Sequence, residues 1–159
     1  PLVVNFDGNA AELSDTRFQF DLDSDGRTEQ IALLKPGSGM LALDKNGDGN
    51  INDGSELFGA KSGNGFAELS TYDEDKNGFI DQGDSIYDKL RIWTRDGQGK
   101  QQLVALGAKD IGAIYLGHLS TPFTYKDNAN TTQGDVANTS FFMRENGSVG
   151  TVQQIDYAV

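Results

Sequence analysis

The sequence predicts an α+β domain: β segments at both ends around a central EF-hand-like, calcium-binding helical region. Three observations carry that expectation. Short apolar runs of strand length lie towards both ends of the chain. Two acidic, glycine-broken loops begin at Asp44 and Asp73. Helical apolar patterns accompany them, at Phe66 to Tyr72 and Ser85 to Leu90. With 159 residues, a single domain over 1–159 is expected. Within it, 1–43 reads as β-rich, 44–94 as the paired loops, and 95–159 as mostly β.

Taken in order, Leu2 to Phe6 reads as a buried strand closed by an Asp7-Gly8 turn. Residues 9–16 are polar and read as a loop. From Arg17 to Asp23, Phe18, Phe20 and Leu22 alternate with polar residues, which is strand periodicity. Gln30 to Leu34 is the returning strand. Lys35 to Gly39 is a turn, and Met40 to Leu43 a short strand or helical turn. Glu56 to Phe58 reads as one helical turn stopped by Gly59, and Lys61 to Gly65 as a connector. Phe66 to Tyr72 and Ser85 to Leu90 are the entry and exit helices of the second loop, and Arg91 to Thr94 is extended. Residues 95–100 read as an ordinary turn, or a third central loop that has lost its acids. Gln101 to Leu106 is read as a short helix capped by Gly107, and Ile111 to Leu116 as a strand. Phe123 to Lys126, Ser140 to Arg144 and Ser148 to Tyr157 are strands, the last two joined at Asn146-Gly147, a strong hairpin turn. Asp127 to Thr139 is polar, shows no periodicity, and reads as a long loop.

The chemistry concentrates in three acidic loops. Calcium takes six to eight oxygens, which a chain supplies by pointing alternate residues inward and then turning sharply. In loop one, Asp44, Asn46 and Asp48 are alternate residues, Gly49 gives the turn, and the Asn50 carbonyl would face the ion. In loop two, Asp73, Asp75 and Asn77 are followed by Gly78, the Phe79 carbonyl and Asp81. Ile51 and Ile80 point away from the ions and are expected to face each other across a short bridging strand. Asp84 closes loop two where an EF-hand has Glu. Loop one either carries an extra residue and closes on Glu56, the favoured reading, or closes on Asp53. The third loop, Asp21, Asp23, Asp25, Gly26 and Glu29, lies between strands rather than helices. A polar hairpin turn is its bland alternative, which four acids in nine residues disfavour.

Composition excludes several classes. The net charge is −11, from 24 acids against 13 bases, and no basic cluster exists to neutralise nucleic-acid phosphates. No apolar run reaches membrane-span length. There is no signal peptide, and a start at Pro1 rather than Met reads as a fragment or processed product. With no cysteine, disulfides, thiol catalysis and cysteine-based zinc sites are excluded, which leaves calcium as the available staple.

The residues resemble a bacterial calcium-binding module of large secreted or surface proteins, of the kind associated with haemolysin-type or propeller repeats. The resemblance spans the chain. It is carried by Pro1 to Gly8, Phe20 to Gly26, Leu90 to Trp93, Phe142 to Asp156, and most specifically Leu41 to Gly59. The hairpin loop at Asp21 is also similar to the calcium loops of integrin-type propeller repeats. The resemblance implies calcium association without a defined activity, and the missing acidic loop near Asp96 departs from it.

The expected function is therefore a calcium-binding structural or adhesion module, extracellular or at the cell surface. Its expected partners are neighbouring domains of a parent protein or a surface ligand. A calcium sensor is the alternative, but sensors present methionine-rich grooves and only Met40 and Met143 are available. A carbohydrate-active enzyme is weaker still. Outside the loops, Glu12, Asp15, Glu145 and Asp156 show no pairing, the lone His118 near Ser120 forms no triad signature, and Trp93 reads as core. No catalytic residue is assigned.

Overall fold

The computed structural model describes residues 1–96 and 98–159. Gly97, within the predicted 95–100 turn, lies outside the described residues. Among the described residues there are eleven strands: β1 (Leu2–Asn5), β2 (Leu13–Phe20), β3 (Glu29–Leu34), β4 (Ser38–Leu43), β5 (Phe79–Asp81), β6 (Leu90–Arg95), β7 (Gln101–Ala105), β8 (Ile111–Tyr115), β9 (Leu119–Lys126), β10 (Thr132–Arg144) and β11 (Val149–Tyr157). Among the described residues the one α-helix, α1 (Gly65–Ser70), is six residues long, capped by the Asn64 side chain on the Ala67 N–H at 3.1 Å.

The predicted α+β class is thus overturned: the molecule is nearly all β. Nine strands form one antiparallel sheet that curls into a half-barrel, in the order β5-β8-β10-β11-β1-β4-β6-β7. β9 lies beside β8 along the same edge of β10. β2 and β3 form a separate hairpin. The first strand sits at the centre of the large sheet, with Val3 opposite both Gln153 of β11 and Met40 of β4.

Both faces of the sheet are covered, and strand alternation divides the residues between two cores. Leu2, Val4, Leu41, Ile92, Ile114, Phe142 and Val152 enter the core that α1 covers with Phe66 and Leu69. Val3, Met40, Ala42, Ile155 and Tyr157 enter the other, beneath Phe20 and Ile31 of the hairpin. Two-sided burial explains why β11 gave no clear face in the sequence: Val152, Gln153, Gln154 and Ile155 are all buried. The glutamines satisfy their amides internally, Gln153 with Asn5 and the Ala11 N–H, Gln154 with the Gly65 N–H.

Several local expectations change for identifiable reasons. Gln101 to Leu106 is not a helix, because Gln101–Ala105 pairs with β6; a 3-10 turn follows at Leu106–Lys109. The exit helix of loop two shrinks to a 3-10 turn at Tyr87–Lys89, since Leu90 must already be extended opposite Leu43. The helical turn after loop one is a 3-10 turn at Gly54–Glu56. β2 begins at Leu13, within the expected 9–16 loop. Most of the expected 127–139 loop is strand β10, whose period is broken by a bulge between Val136 and Asn138. Met40 to Leu43 resolves as strand.

Candidate metal centre

The three acidic loops share one hydrogen-bond scheme although their surroundings differ. In each, the first carboxylate accepts the N–H of the position-6 glycine: Gly26 to Asp21 at 2.9 Å, Gly49 to Asp44 at 2.7 Å, Gly78 to Asp73 at 3.0 Å. These glycines have φ of +88°, +78° and +84°, the left-handed region where a side chain is strained. In each, a closing carboxylate reaches back to the N–H of position 2. Glu29 takes Leu22 at 3.1 Å, Glu56 takes Lys45 at 3.0 Å, and Asp84 takes Glu74 at 2.7 Å. Glu56 and Asp84 also take the position-9 N–H, from Asn52 at 2.8 Å and Asp81 at 3.1 Å.

This equivalence distinguishes the two candidates for closing loop one. Glu56 occupies the place of Asp84 and is buried, 4% exposed against 2% for Asp84. Asp53 instead caps the following 3-10 turn through the Ser55 N–H at 2.8 Å and accepts the Ser24 hydroxyl at 3.1 Å. Those bonds, led by the Ser55 hydroxyl, hold the Asp53 carboxyl below its ordinary value. At the alternate positions, Asn46 accepts from Asp48 N–H at 3.3 Å and Asp48 from Asn50 N–H at 2.9 Å. Asp75 accepts from Asn77 N–H at 3.3 Å and Asn77 from Phe79 N–H at 2.9 Å. Asn52, at position 9 of loop one, accepts Asn46 Nδ2 on its side-chain oxygen at 2.9 Å.

Two sets of carboxylates converge among the described residues. Oxygens of Asp21, Asp23, Asp25 and Glu29 lie within 4.8 Å of one another, as do those of Asp73, Asp75 and Asp84. Asp44, Asp48 and Glu56 do not form a third set. Asp81 turns to Asn77 Nδ2 at 2.8 Å. Like charges with no cation between them raise each other's pKa. The Asp75 carboxyl is pushed up by desolvation first, then by Asp73, Asp84 and Asp81. Asp48 is held low, chiefly by the Asn50 N–H and the Asn52 amide.

Among the described residues no salt bridge reaches these groups. Among the described residues the one ion pair is Arg17 to Asp127, at 3.8 Å, and it includes no carboxylate of the three loops. Asp73 is 6% exposed; its Oδ2 takes Gly78, while its Oδ1 is buried and has no hydrogen-bond partner among the described residues. Oδ1 of Asp44 is in the same condition. A bare buried carboxylate oxygen is costly unless something positive occupies the space it faces. The donor set is all oxygen, which suits a hard divalent cation.

The loops are not paired as the sequence suggested. Ile80 of β5 lies opposite Ile114 of β8, while Ile51 sits in the opposite core. Loop one contacts the hairpin loop instead. Gly54 N–H donates to the Asp21 carbonyl at 2.8 Å, and a Cβ on Gly54 would stand 1.7 Å from the Leu22 oxygen. The 95–100 turn holds its Asp96 carboxyl low through the N–H groups of Lys100 and Gln98.

Comparison with known proteins gives the chain a place. It is similar to the iron-regulated protein FrpA of Neisseria meningitidis serogroup C, at 28% identity over 149 residues. That match covers 85% of this chain and 13% of FrpA, so the similar region is a small module within a much longer bacterial protein. No helix among the described residues is long and apolar enough to cross a membrane. The SPM domain model matches residues 2–158, and the chain belongs to the SPM domain family.

Proposed function

We propose that this domain is a calcium-binding structural module of a larger secreted or cell-surface bacterial protein. The observation that carries the reading is Asp73: a buried carboxylate with one bare oxygen, within 4.8 Å of two further carboxylates. The scheme shared with Glu56 and Glu29 extends the reading to loop one and the hairpin loop. The ligands would be Asp73, Asp75, Asn77, the Phe79 carbonyl, Asp81 and Asp84 in loop two. Loop one would use Asp44, Asn46, Asp48, the Asn50 carbonyl, Asn52 and Glu56, and the hairpin loop Asp21, Asp23, Asp25 and Glu29.

The role is structural because of what each loop joins. Loop two delivers β5 to the edge of the large sheet. Loop one leads from β4 to α1, and its Gly54 is bonded to the hairpin loop. Cations at these places would tie the hairpin, the helix and the sheet edge together, as disulfides do in cysteine-bearing domains. Leu119 and Phe123, exposed on β9 at 76% and 61%, support a contact with a neighbouring domain or surface ligand. The test is calcium titration by calorimetry on chelator-stripped protein, with melting curves at both ends. Two or three sites and a marked rise in Tm are expected. No uptake at about 1 mM calcium, the range of extracellular modules, would end the reading.

A further inference from the structure

The edge of the large sheet at β9 is open. One side of the strand pairs with β10; among the described residues the other side pairs with no strand and takes no backbone hydrogen bond. Seven of its eight residues are exposed, Tyr125 being half-buried. Strand alternation puts Leu119, Thr121, Phe123 and Tyr125 on one face. It is the face that the hairpin covers further along the sheet, since Phe123 stands opposite Val136 of that core and the Thr121 hydroxyl meets that of Thr139 at 2.6 Å. β9 also closes the longest run of the chain without Asp or Glu, the 16 residues from Ile111 to Lys126. In a chain of net charge −11, that is the stretch on which a second acidic molecule meets least repulsion.

We propose that β9 pairs with β9 of a second copy of this chain, antiparallel about a two-fold axis at Thr121, so that one sheet runs through both. The inference names the neighbour that the exposed strand suits and does not depend on the calcium reading. An open apolar edge is a template for another strand, and a two-fold contact requires a patch complementary to itself. Leu119 and Phe123 lie two residues to either side of Thr121. The register therefore sets Leu119 opposite the partner's Phe123, and Phe123 opposite the partner's Leu119, on one face. Charge fits the same register. β9 has one charged side chain, Lys126, and the two-fold axis carries the partner's Lys126 towards the Leu119 end. Loop two borders that end, its Gly78 carbonyl taking the Leu116 N–H at 3.0 Å, and its Asp73, Asp75 and Asp81 have no salt bridge among the described residues. Pro122 has no N–H to give, so the apolar pairs rather than a full ladder hold the seam, and the association is weak.

The experiment is sedimentation equilibrium of the unmutated chain over a wide range of concentration, with calcium present, joined to single-cysteine cross-linking. A reversible monomer–dimer equilibrium is expected, and a monomer at every concentration overturns the inference. The chain has no cysteine, so Thr121→Cys introduces a single thiol. On the two-fold axis it faces its own copy at disulfide distance, and mild oxidation should give a cross-linked dimer. Thr124→Cys, on the opposite face and three residues from the axis, stands too far from its copy to be bridged. A dimer that cross-links at neither position, or equally at both, overturns the inference. Leu119→Lys sets a charge against the partner's Phe123 twice and is expected to weaken association by about tenfold or more. Leu119 is exposed, so the melting curve should not change. An undiminished dimer in that variant places the contact elsewhere and overturns the inference. Calcium uptake is read separately by calorimetry, so the calcium reading and this one fail independently.

Discussion

Loop two and strand β10 are of similar length and are held in opposite ways. In loop two the bonds are local: Asp73 to Gly78, Asp84 to Glu74 and Asp81, Asn77 to Phe79. Each carboxylate fixes backbone inside its own loop, and the like charges so gathered oppose the arrangement. β10 is held from outside itself, by β11 along one edge and β9 and β8 along the other. It places Phe142, fully buried, in the core beneath α1. The loop has the shape without the stabilisation; the strand takes its stabilisation from the three strands that flank it. If the reading is right, cations supply what the loops lack.

Removing the cations is the strongest way to break this comparison. A ligand at about 100 times its Kd adds roughly 2.7 kcal/mol of stability per site. Chelation should therefore remove about 5 to 8 kcal/mol over two or three sites. Melting curves with calcium and with chelator measure it. Amide exchange sharpens the result: β5 and the loops should lose protection before β10 and β11 do. Equal loss everywhere would mean that loops and sheet form one cooperative unit.

The sheet is tested by Phe142→Ala. It empties a fully buried ring site, and removal of such a side chain costs about 3–5 kcal/mol. The unfolding free energy from urea denaturation should fall by that amount in both the calcium-loaded and the stripped protein. Calcium stoichiometry at low temperature should not change, because none of the proposed ligands belongs to the core cluster that holds Phe142.

Asp73→Asn separates the two states most sharply, because its effect should change sign. With calcium present the variant loses the loop-two cation and about 2.7 kcal/mol of linkage. Without calcium it removes a buried charge that has no partner on Oδ1, and stability should rise by about 1 kcal/mol. Paired denaturation curves check both signs. A loss of equal size in both states would make Asp73 an ordinary structural residue.

The loops were legible in the sequence because their determinants are local. Alternate acids, then glycine at position 6, specify bonds that close within the loop, and Asp44, Asp73 and Asp21 all make them. What surrounds the loops was not legible. EF-hand spacing suggested helices on either side, yet Leu90 is committed to pairing with Leu43, and that partner lies far off in sequence. Gln101 to Ala105 has no strong pattern of its own and takes its conformation from β6. In β10 the bulge after Val136 shifts the alternation by one residue, so a true strand reads as aperiodic. The placing of Ile51 and Ile80 in opposite cores follows from the sheet, which two similar loops could not reveal.

The smallest expected effect lies at Tyr157, the sheet's counterpart to Asp73. Its hydroxyl is buried and has no hydrogen-bond partner among the described residues, and burial pushes its pKa upward. The ring packs in the core under the hairpin. Tyr157→Phe keeps the ring and removes only the unpaired group, so no bond is lost and a desolvation cost of about 1 kcal/mol is relieved. Stability should be unchanged or slightly higher, with or without calcium. The contrast with Asp73 is the point of the measurement. Both residues bury an unpartnered oxygen, but only the carboxylate has a cation to wait for, so only Asp73→Asn should respond to calcium. If Tyr157→Phe proves destabilising by more than about 1 kcal/mol, the hydroxyl makes a hydrogen bond in solution, as the net worth of one such bond would require. An unpartnered oxygen would then be weaker evidence for an ion in loop two as well.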